Sequence, residues 1–397
     1  MDIARLRLKK NEEKRIKGGH LWVYSNEVDT QSTPLKSFNI GQTVIIEASS
    51  GKALGIGYIN PNNLLCARLV SRDIKRGFDK SLLVHRINIA KSLRDSVFSK
   101  PFYRLVYGES DGLPGLIVDR FDKHLVVQIT TAGMEQQKDA IIAALIKVVK
   151  PDSILLRNDS NSRKAESLSG EVEQAHGQTP EQLIIEENET QFLIHPFTGQ
   201  KTGWFYDHRV SRQQLAKYVK GKRVLDVFSY IGAFGLQMAN AGAEEVWCID
   251  ISAKALDELE HNAKLNEVDN KVTCVEGDAY TAMRELKQRD ERFDVVIVDP
   301  PAFIKKKKDH KAGLNAYRKV NEAAMRLLGK DGILLSASCS MHLKTSELND
   351  CIRMAGRHLE KTVQIIEQCH QGQDHPIHPS IPETQYIKGS ICRVLSA

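Results

Sequence analysis

The chain has 397 residues, 41% hydrophobic and 27% charged, with a formal net charge of +6. That length implies two or three domains, and that balance excludes a disordered or fibrous chain. No stretch reaches membrane-span length, the opening MDIARLRLKKNEEKR lacks the apolar core of a secretory signal, and seven cysteines without a CxxC pair exclude a disulfide framework or zinc module. A cytoplasmic protein with no metal is therefore expected, and the mild positive charge favours a polyanionic partner.

From Met1 to about Lys80 short alternating runs, TVIIEA (43–48) and LLCARLV (64–70), are cut by the turn-rich GKALGIGYINPNN. This spacing predicts a small β-barrel or sandwich over residues 1–80. Its opening carries Lys9, Lys10, Lys14, Arg15 and Lys17 ahead of GGHLWVYSNEV. Cations beside Trp22 and Tyr24 supply what phosphate neutralisation and base stacking require. A solvated charge run beside two core aromatics fits the same residues, and both readings stay open.

Residues 81–189 read as an α+β middle domain. A helical pattern, SLLVHRINIAKSLRDSVF, precedes the turn-rich YGESDGLPGLIVDRF and the strand HLVVQIT. A second helix, MEQQKDAIIAALIKVVK, stops at Pro151, and the strand SILLRND follows. The polar stretch 160–182 is expected to be a loose surface loop.

Residues 190–397 alternate strand-like runs with amphipathic helices: KRVLDVFS, EEVWCID, KVTCVEGD, FDVVIVDPP and GILLSASCS, then TVQIIEQC and YIKGSICRVLS. Such alternation implies βαβ units and a doubly wound, mostly parallel α/β sheet. The last two strands have no helix between them and should pair antiparallel at one side. Five βα units followed by such a pair resemble the Rossmann-like class I S-adenosylmethionine methyltransferases.

Open α/β sheets bind ligands at the carboxyl ends of their strands, and those ends carry the chemistry here. After the first strand, DVFSYIGAFG presents Asp226, Phe228, Ser229, Gly232 and Gly235. The loop lacks the G-x-G-x-x-G spacing that seats a pyrophosphate, and an acid inside it would repel one. Asp226 suits a cationic, amino-acid-bearing ligand such as S-adenosylmethionine better. The second strand ends at Asp250, placed to accept ribose hydroxyls, and the third at Asp278-Ala279, placed to accept from an adenine amine. Each acid alone could be a helix cap, but three successive strand ends favour a cofactor rim.

The fourth strand ends in Asp299, Pro300, Pro301 and Phe303. The prolines fix an extended loop without amide donors, Asp299 can hold a nucleobase edge and Phe303 can stack on its face. Lys305 and Lys306 follow, placed for phosphates. The fifth strand ends in Ser338-Cys339-Ser340. Carbon 5 of cytosine becomes nucleophilic only after a nucleophile adds at carbon 6, and a thiolate both adds and leaves readily. Cys339 is the candidate nucleophile. Cys248 and Cys274 lie inside strands, and Cys66, Cys351, Cys369 and Cys392 have no such neighbours. The group His370, His375 and His378 matches no ligand spacing and reads as a polar loop.

Over essentially its whole length the chain resembles the RlmI family of bacterial 23S ribosomal RNA cytosine-C5 methyltransferases. The carrying segments are GGHLWVYSNEV, YGESDGLPGLIVDRF, QKTGWFYDHRVSR, DVFSYIGAFG, DPPAF, SCS and YIKGSICRVL. The resemblance implies a PUA-like RNA-binding domain over 1–80, the middle domain over 81–189 and a methyltransferase domain over 190–397. It implies S-adenosylmethionine as cofactor and ribosomal RNA as partner, attack by Cys339, orientation by Asp299, and a cofactor held by the Gly232 loop, Asp250 and Asp278, with Gly203 and Phe205 covering one side. Oligomeric state is left open, a homodimer included. The second cysteine of many RNA cytosine methyltransferases is absent, since Ala302-Phe303 follows the proline pair, so the base that takes the carbon-5 proton is unassigned between His342 and Glu383. Two rival readings remain: methylation elsewhere, such as guanine N7 or adenine N6, and a non-catalytic ribosome-assembly protein.

Overall fold

The runs Val224–Val227 and Val295–Val298 are almost wholly apolar and β-branched, the pattern of strands covered on both faces. In the computed structural model, which describes residues 3–396, their side chains are buried in the middle of a seven-stranded sheet. Its strands are β1 (Arg223–Val227), β2 (Glu245–Asp250), β3 (Val272–Glu276), β4 (Phe293–Val298), β5 (Leu328–Ser338), β6 (Lys361–Cys369) and β7 (Lys388–Ser396). They lie in the order β3-β2-β1-β4-β5-β7-β6. The first five run parallel, and β7 is antiparallel to both β5 and β6. The expected antiparallel pair is therefore present at one side. Strand order reverses between β1 and β4, which opens a crevice at their carboxyl ends.

Helices Gly235–Asn240, Ala253–Leu265, Ala279–Gln288, His310–Leu327 and Thr345–His358 connect the strands. The apolar faces of the last three join one core, which includes Leu225, Ile249, Met283, Val296, Leu334 and Ile352. The edge strands β3 and β6 are more exposed than the central ones.

This sheet belongs to a compact unit made of residues 184–193, 207–372 and 385–397; the other unit comprises 1–183, 194–206 and 373–384. The latter holds two five-stranded sheets. One is built from Arg5–Arg7, Trp22–Tyr24, Gln42–Glu47, Ala53–Ile59 and Leu65–Ser71 over a core containing Leu6, Val23, Ile46 and Cys66. The other joins Phe102–Tyr107, Leu116–Phe121, His124–Ile129, Ser153–Asn158 and Glu171–Gly177, with helices Lys80–Val97 and Lys138–Val149 sharing its core.

Residues 160–182 are not the loose loop expected. They form a short helix, Asn161–Ala165, and the strand Glu171–Gly177, which pairs antiparallel with Ser153–Asn158. This edge strand is mostly exposed, so it carries no apolar alternation to reveal it. Lys138 binds it through Glu173 and Glu171.

Candidate functional site

The loop after β1 turns sharply. Phe228 and Tyr230 adopt φ of 68° and 50°, and Gly232 follows at 89°. A bulky residue pays strain for positive φ and keeps it only where surrounding bonds over-determine the turn. Those bonds are present: the Phe228 and Ser229 amides donate to the Ile249 carbonyl at 2.9 and 3.0 Å, and Tyr230 N–H donates to Asp250 Oδ2 at 2.9 Å. Asp226 is buried beneath the loop and accepts the Gly235 N–H at 2.8 Å. Burial pushes its carboxyl up to about 7, with the Asp299 and Asp250 charges adding to the rise despite the Gly235 bond. Asp226 thus braces the turn from inside.

Asp250 also accepts the Ser252 N–H at 2.9 Å, while Ile251 between them is 74% exposed. An apolar side chain so exposed beside a carboxylate offers a flat, greasy surface next to a hydrogen-bond acceptor. Asp278 is exposed and caps the helix Ala279–Gln288 through the Thr281 N–H at 3.0 Å; Ala279 is buried behind it. The capping explanation of this acid is what its geometry displays, and its exposure leaves the carboxylate open to solvent at the strand end. At Gly277 an added Cβ would meet no heavy atom within 4 Å, so the rim is open there. Acceptors at Asp250 and Asp278 around an open, partly apolar rim suit a ribosyl-adenine group.

Val298 of β4 lies opposite Ser336 of β5, so Asp299 and Cys339 leave the ends of adjacent parallel strands. Asp299 Oδ1 is 3.4 Å from Nε2 of the buried His208. His208 in turn begins the helix Arg209–Leu215, which is anchored from below: Arg209 and Arg212 bind the buried Glu187 at 3.2 and 2.6 Å. Burial alone would raise the Glu187 carboxyl, but Arg212 and Arg209 carry it below the usual value. The charged pair network fixes the helix start, and with it His208.

Pro300 is buried, Pro301 exposed, and Phe303 packs on Tyr317 with ring centroids 4.9 Å apart. The Tyr317 hydroxyl is 2.7 Å from Ser338 Oγ and 2.8 Å from Ser340 Oγ. Ser340 Oγ accepts the Ile304 N–H at 3.3 Å. One phenol and two flanking serines therefore lock the Cys339 turn to the loop that carries Asp299 and Phe303.

Lys388 of β7 completes this corner. It is buried, and Nζ donates to the carbonyls of Ser340 at 2.7 Å and Tyr386 at 2.9 Å. Burial lowers it to about 8, against the opposing pull of Cys339 and Glu347. Cys339 itself is half-buried at the strand end. Burial pushes the thiols of Cys66 and Cys392 up to about 12, those of Cys274, Cys351 and Cys369 to about 11, and Cys248 well above its ordinary value. Those six are inert near neutral pH, because the thiolate is the nucleophile.

The structure brings Asp226, Phe228, Ser229, Gly232, Asp250, Asp278, Ala279, Asp299 and Cys339 to the carboxyl edge of one sheet. Lys305 and Lys306 are exposed beyond it. Gly203 and Phe205 lie in the other unit, with Gly203 at φ 109° and the Phe205 ring 4.3 Å from Lys201 Nζ. Glu383 also falls in that unit, whereas His342 follows Cys339 in this one. Of the N-terminal candidates, Lys14 is exposed. Arg15 is engaged with Glu27 at 2.9 Å and sits over the Tyr24 ring, and Trp22 Nε1 donates to Glu109 at 2.9 Å. Sequence reasoning did not find His208, Tyr317 or Lys388. Two of these were visible only as letters in FYDHR and YIKGS.

The profile of PUA-like domains matches residues 6–72, and that of S-adenosylmethionine-dependent methyltransferases matches residues 156–355. The chain is 36% identical over 393 residues to the ribosomal RNA large subunit methyltransferase I of Aliivibrio fischeri (strain MJ11), covering 98% of each. It is also 36% identical over 397 residues to the protein of that name in Escherichia coli (strain UTI89 / UPEC), covering 99% of this chain and 100% of the other. Two solved structures share the fold at 20% identity, each covering 98% of this chain and 100% of its own: one described as a SAM-dependent methyltransferase from Streptococcus mutans, TM-score 0.83, and a methyltransferase complexed with SAH, TM-score 0.85.

Proposed function

The chain belongs to the S-adenosylmethionine-dependent methyltransferases, in the family of ribosomal RNA large subunit methyltransferase I, and from that premise we propose that it methylates carbon 5 of a cytosine in 23S ribosomal RNA through a covalent adduct with Cys339. The observation that carries this reading is the Cys339 corner. Of seven cysteines, this one stands at a strand end beside a buried ammonium and across from a loop carrying a carboxylate and an aromatic ring. Methylation of a ring nitrogen, which already has a lone pair, could use the carboxylate and the aromatic ring but needs no thiol.

In the proposed cycle Phe303 stacks on the base and Asp299, with His208 Nε2 at 3.4 Å, binds its nitrogen edge. Lys388 stabilises the Cys339 thiolate, which adds to carbon 6. Asp299 accepts from the exocyclic amine and so holds the ring in line with the thiolate while addition proceeds. Bound S-adenosylmethionine supplies an electrophilic methyl group, which carbon 5, now enamine-like, accepts. Once a base takes the carbon-5 proton, a role for which His342 stands three residues after Cys339, the 5,6-double bond re-forms and the thiolate departs. Residues 1–80 are assigned to RNA binding, with Lys9, Lys10, Lys14 and Lys17 exposed in the opening; Lys305 and Lys306 meet phosphates near the target base.

Mapping methylated bases in 23S ribosomal RNA from cells with and without this protein should show one 5-methylcytosine that depends on it. A dependent methyl group on guanine N7 or adenine N6 instead would overturn the assignment. For the cofactor rim, Asp250→Ala removes an acceptor and also frees the Tyr230 amide. Calorimetry should then show S-adenosylhomocysteine binding weakened by about 1–3 kcal/mol. Unchanged affinity removes Asp250 from the site.

A further inference from the structure

The opposite edge of the seven-stranded sheet carries a second concave surface. At the amino ends of the parallel strands a groove of about 510 Å³ is lined by Lys287, Arg292, Arg326, Lys330 and Lys361, with Leu328, Gly329, Leu359 and Ser396 as its floor and wall. No lining side chain is acidic. Arg292 reaches Asp290, itself nearly fully exposed, at 3.4 Å. The side chains of Lys287, Arg326, Lys330 and Lys361 make no ion pair or hydrogen bond among the described residues.

Two of these cations have an ordinary explanation. Lys287 and Arg326 stand in the last turns of their helices, where positive charge offsets the dipole. Arg292, Lys330 and Lys361 are outside helices and lack that reason. Burial lowers the Lys361 ammonium, and repulsion from Arg292 and Lys287 lowers it further, with no carboxylate opposing them. Like charges gathered in a concavity destabilise the fold unless a polyanion shares them, and such a cleft concentrates anions.

We propose that this groove binds the phosphodiester backbone of the RNA substrate, as a second contact on the sheet edge away from Cys339. The proposal rests on the RNA-methyltransferase reading, because that reading supplies a polyanion long enough to reach past the catalytic edge. Five cations spaced along an open groove match a run of backbone phosphates better than a single anion. Contacts of this kind fix register and orientation without reading sequence.

The test uses the full chain and an in vitro transcript of 23S ribosomal RNA. Arg326→Glu combined with Lys330→Glu changes two exposed side chains that hold nothing in place. Filter binding between 50 and 200 mM salt should show affinity reduced about tenfold or more, with the slope of log K against log salt falling by roughly 1.4–1.8 for two lost phosphate contacts. Calorimetric affinity for S-adenosylhomocysteine should stay at the wild-type value, which verifies folding. Wild-type affinity and slope in the double variant would overturn the groove assignment alone. Binding of inorganic phosphate by the wild type, lost in the variant while the RNA slope stays unchanged, would make it a small-anion site and overturn the backbone assignment. Failure of the wild-type protein itself to bind the transcript would overturn the RNA reading together with this one.

Discussion

Cys339→Ala is expected to fold, to bind S-adenosylhomocysteine as the wild type does, and to transfer no methyl groups. The substitution removes one half-buried sulfur from a turn held by other atoms: the Tyr317 bonds to Ser338 and Ser340, the Ile304 amide and the Lys388 ammonium all remain. Without the thiolate no addition occurs at carbon 6, carbon 5 stays a poor nucleophile, and the rate should fall by roughly 10⁴-fold or more, the scale for deleting a covalent nucleophile. A second readout fixes the chemistry. With 5-fluorocytosine at the target, no proton is available to leave carbon 5, so the wild type should stall as a denaturant-resistant protein–RNA complex and Cys339→Ala should form none. Near-wild-type turnover by Cys339→Ala would refute covalent catalysis and favour nitrogen methylation.

Lys388→Met is expected to lower methylation by about 10²-fold and to change its pH profile. The sign follows from burial. The ammonium is lowered to about 8, so below that pH its charge stabilises the Cys339 thiolate, and above it the charge disappears. The wild-type rate should therefore decline above about pH 8. Glu347, across from it, favours the ammonium, while the buried Tyr317 phenol is raised and stays neutral through this range. In Lys388→Met the alkaline decline should vanish, and the rising limb should move to higher pH as the thiol loses its cationic neighbour. Lys388→Arg retains a charge that does not titrate, so it should recover much of the rate without the decline near pH 8. A Lys388→Met enzyme with reduced rate but a wild-type pH profile would leave Lys388 a merely structural residue.

The parts of the site that were legible in the sequence are those whose meaning is local. A strand run followed by Asp and a helix reads the same on paper and in space, so Asp250, Asp278, Asp299 and Cys339 fall where the alternation of strands and helices puts them. Direction is harder to read. Asp226 was expected to face a ligand, yet it lies under its loop holding Gly235, because the residue's place at the strand end does not tell which way the carboxylate turns. Lys388 was hidden for a different reason. It meets the Cys339 turn only through the antiparallel register that sets Lys388 opposite Ser338. His208 and Tyr317 likewise act across sequence gaps that no periodicity spans. The edge strand Glu171–Gly177 was missed because an exposed strand carries no apolar alternation.

The division of the chain into units has a consequence for synthesis. The backbone passes from one unit to the other five times: after residues 183, 193, 206, 372 and 384. A nascent chain emerges in order, so the first unit cannot gain its last segment, 373–384, until nearly all of the second has been made. Domain-by-domain folding during translation, the common route for chains of this size, is closed to it. Neither unit reaches its final form before its last segment, 373–384 or 385–397, has emerged. Until then, the segment that brings Asp374 to Arg94 and Arg104 is missing. An early arrest of translation therefore leaves two incomplete parts, neither of which is a finished domain.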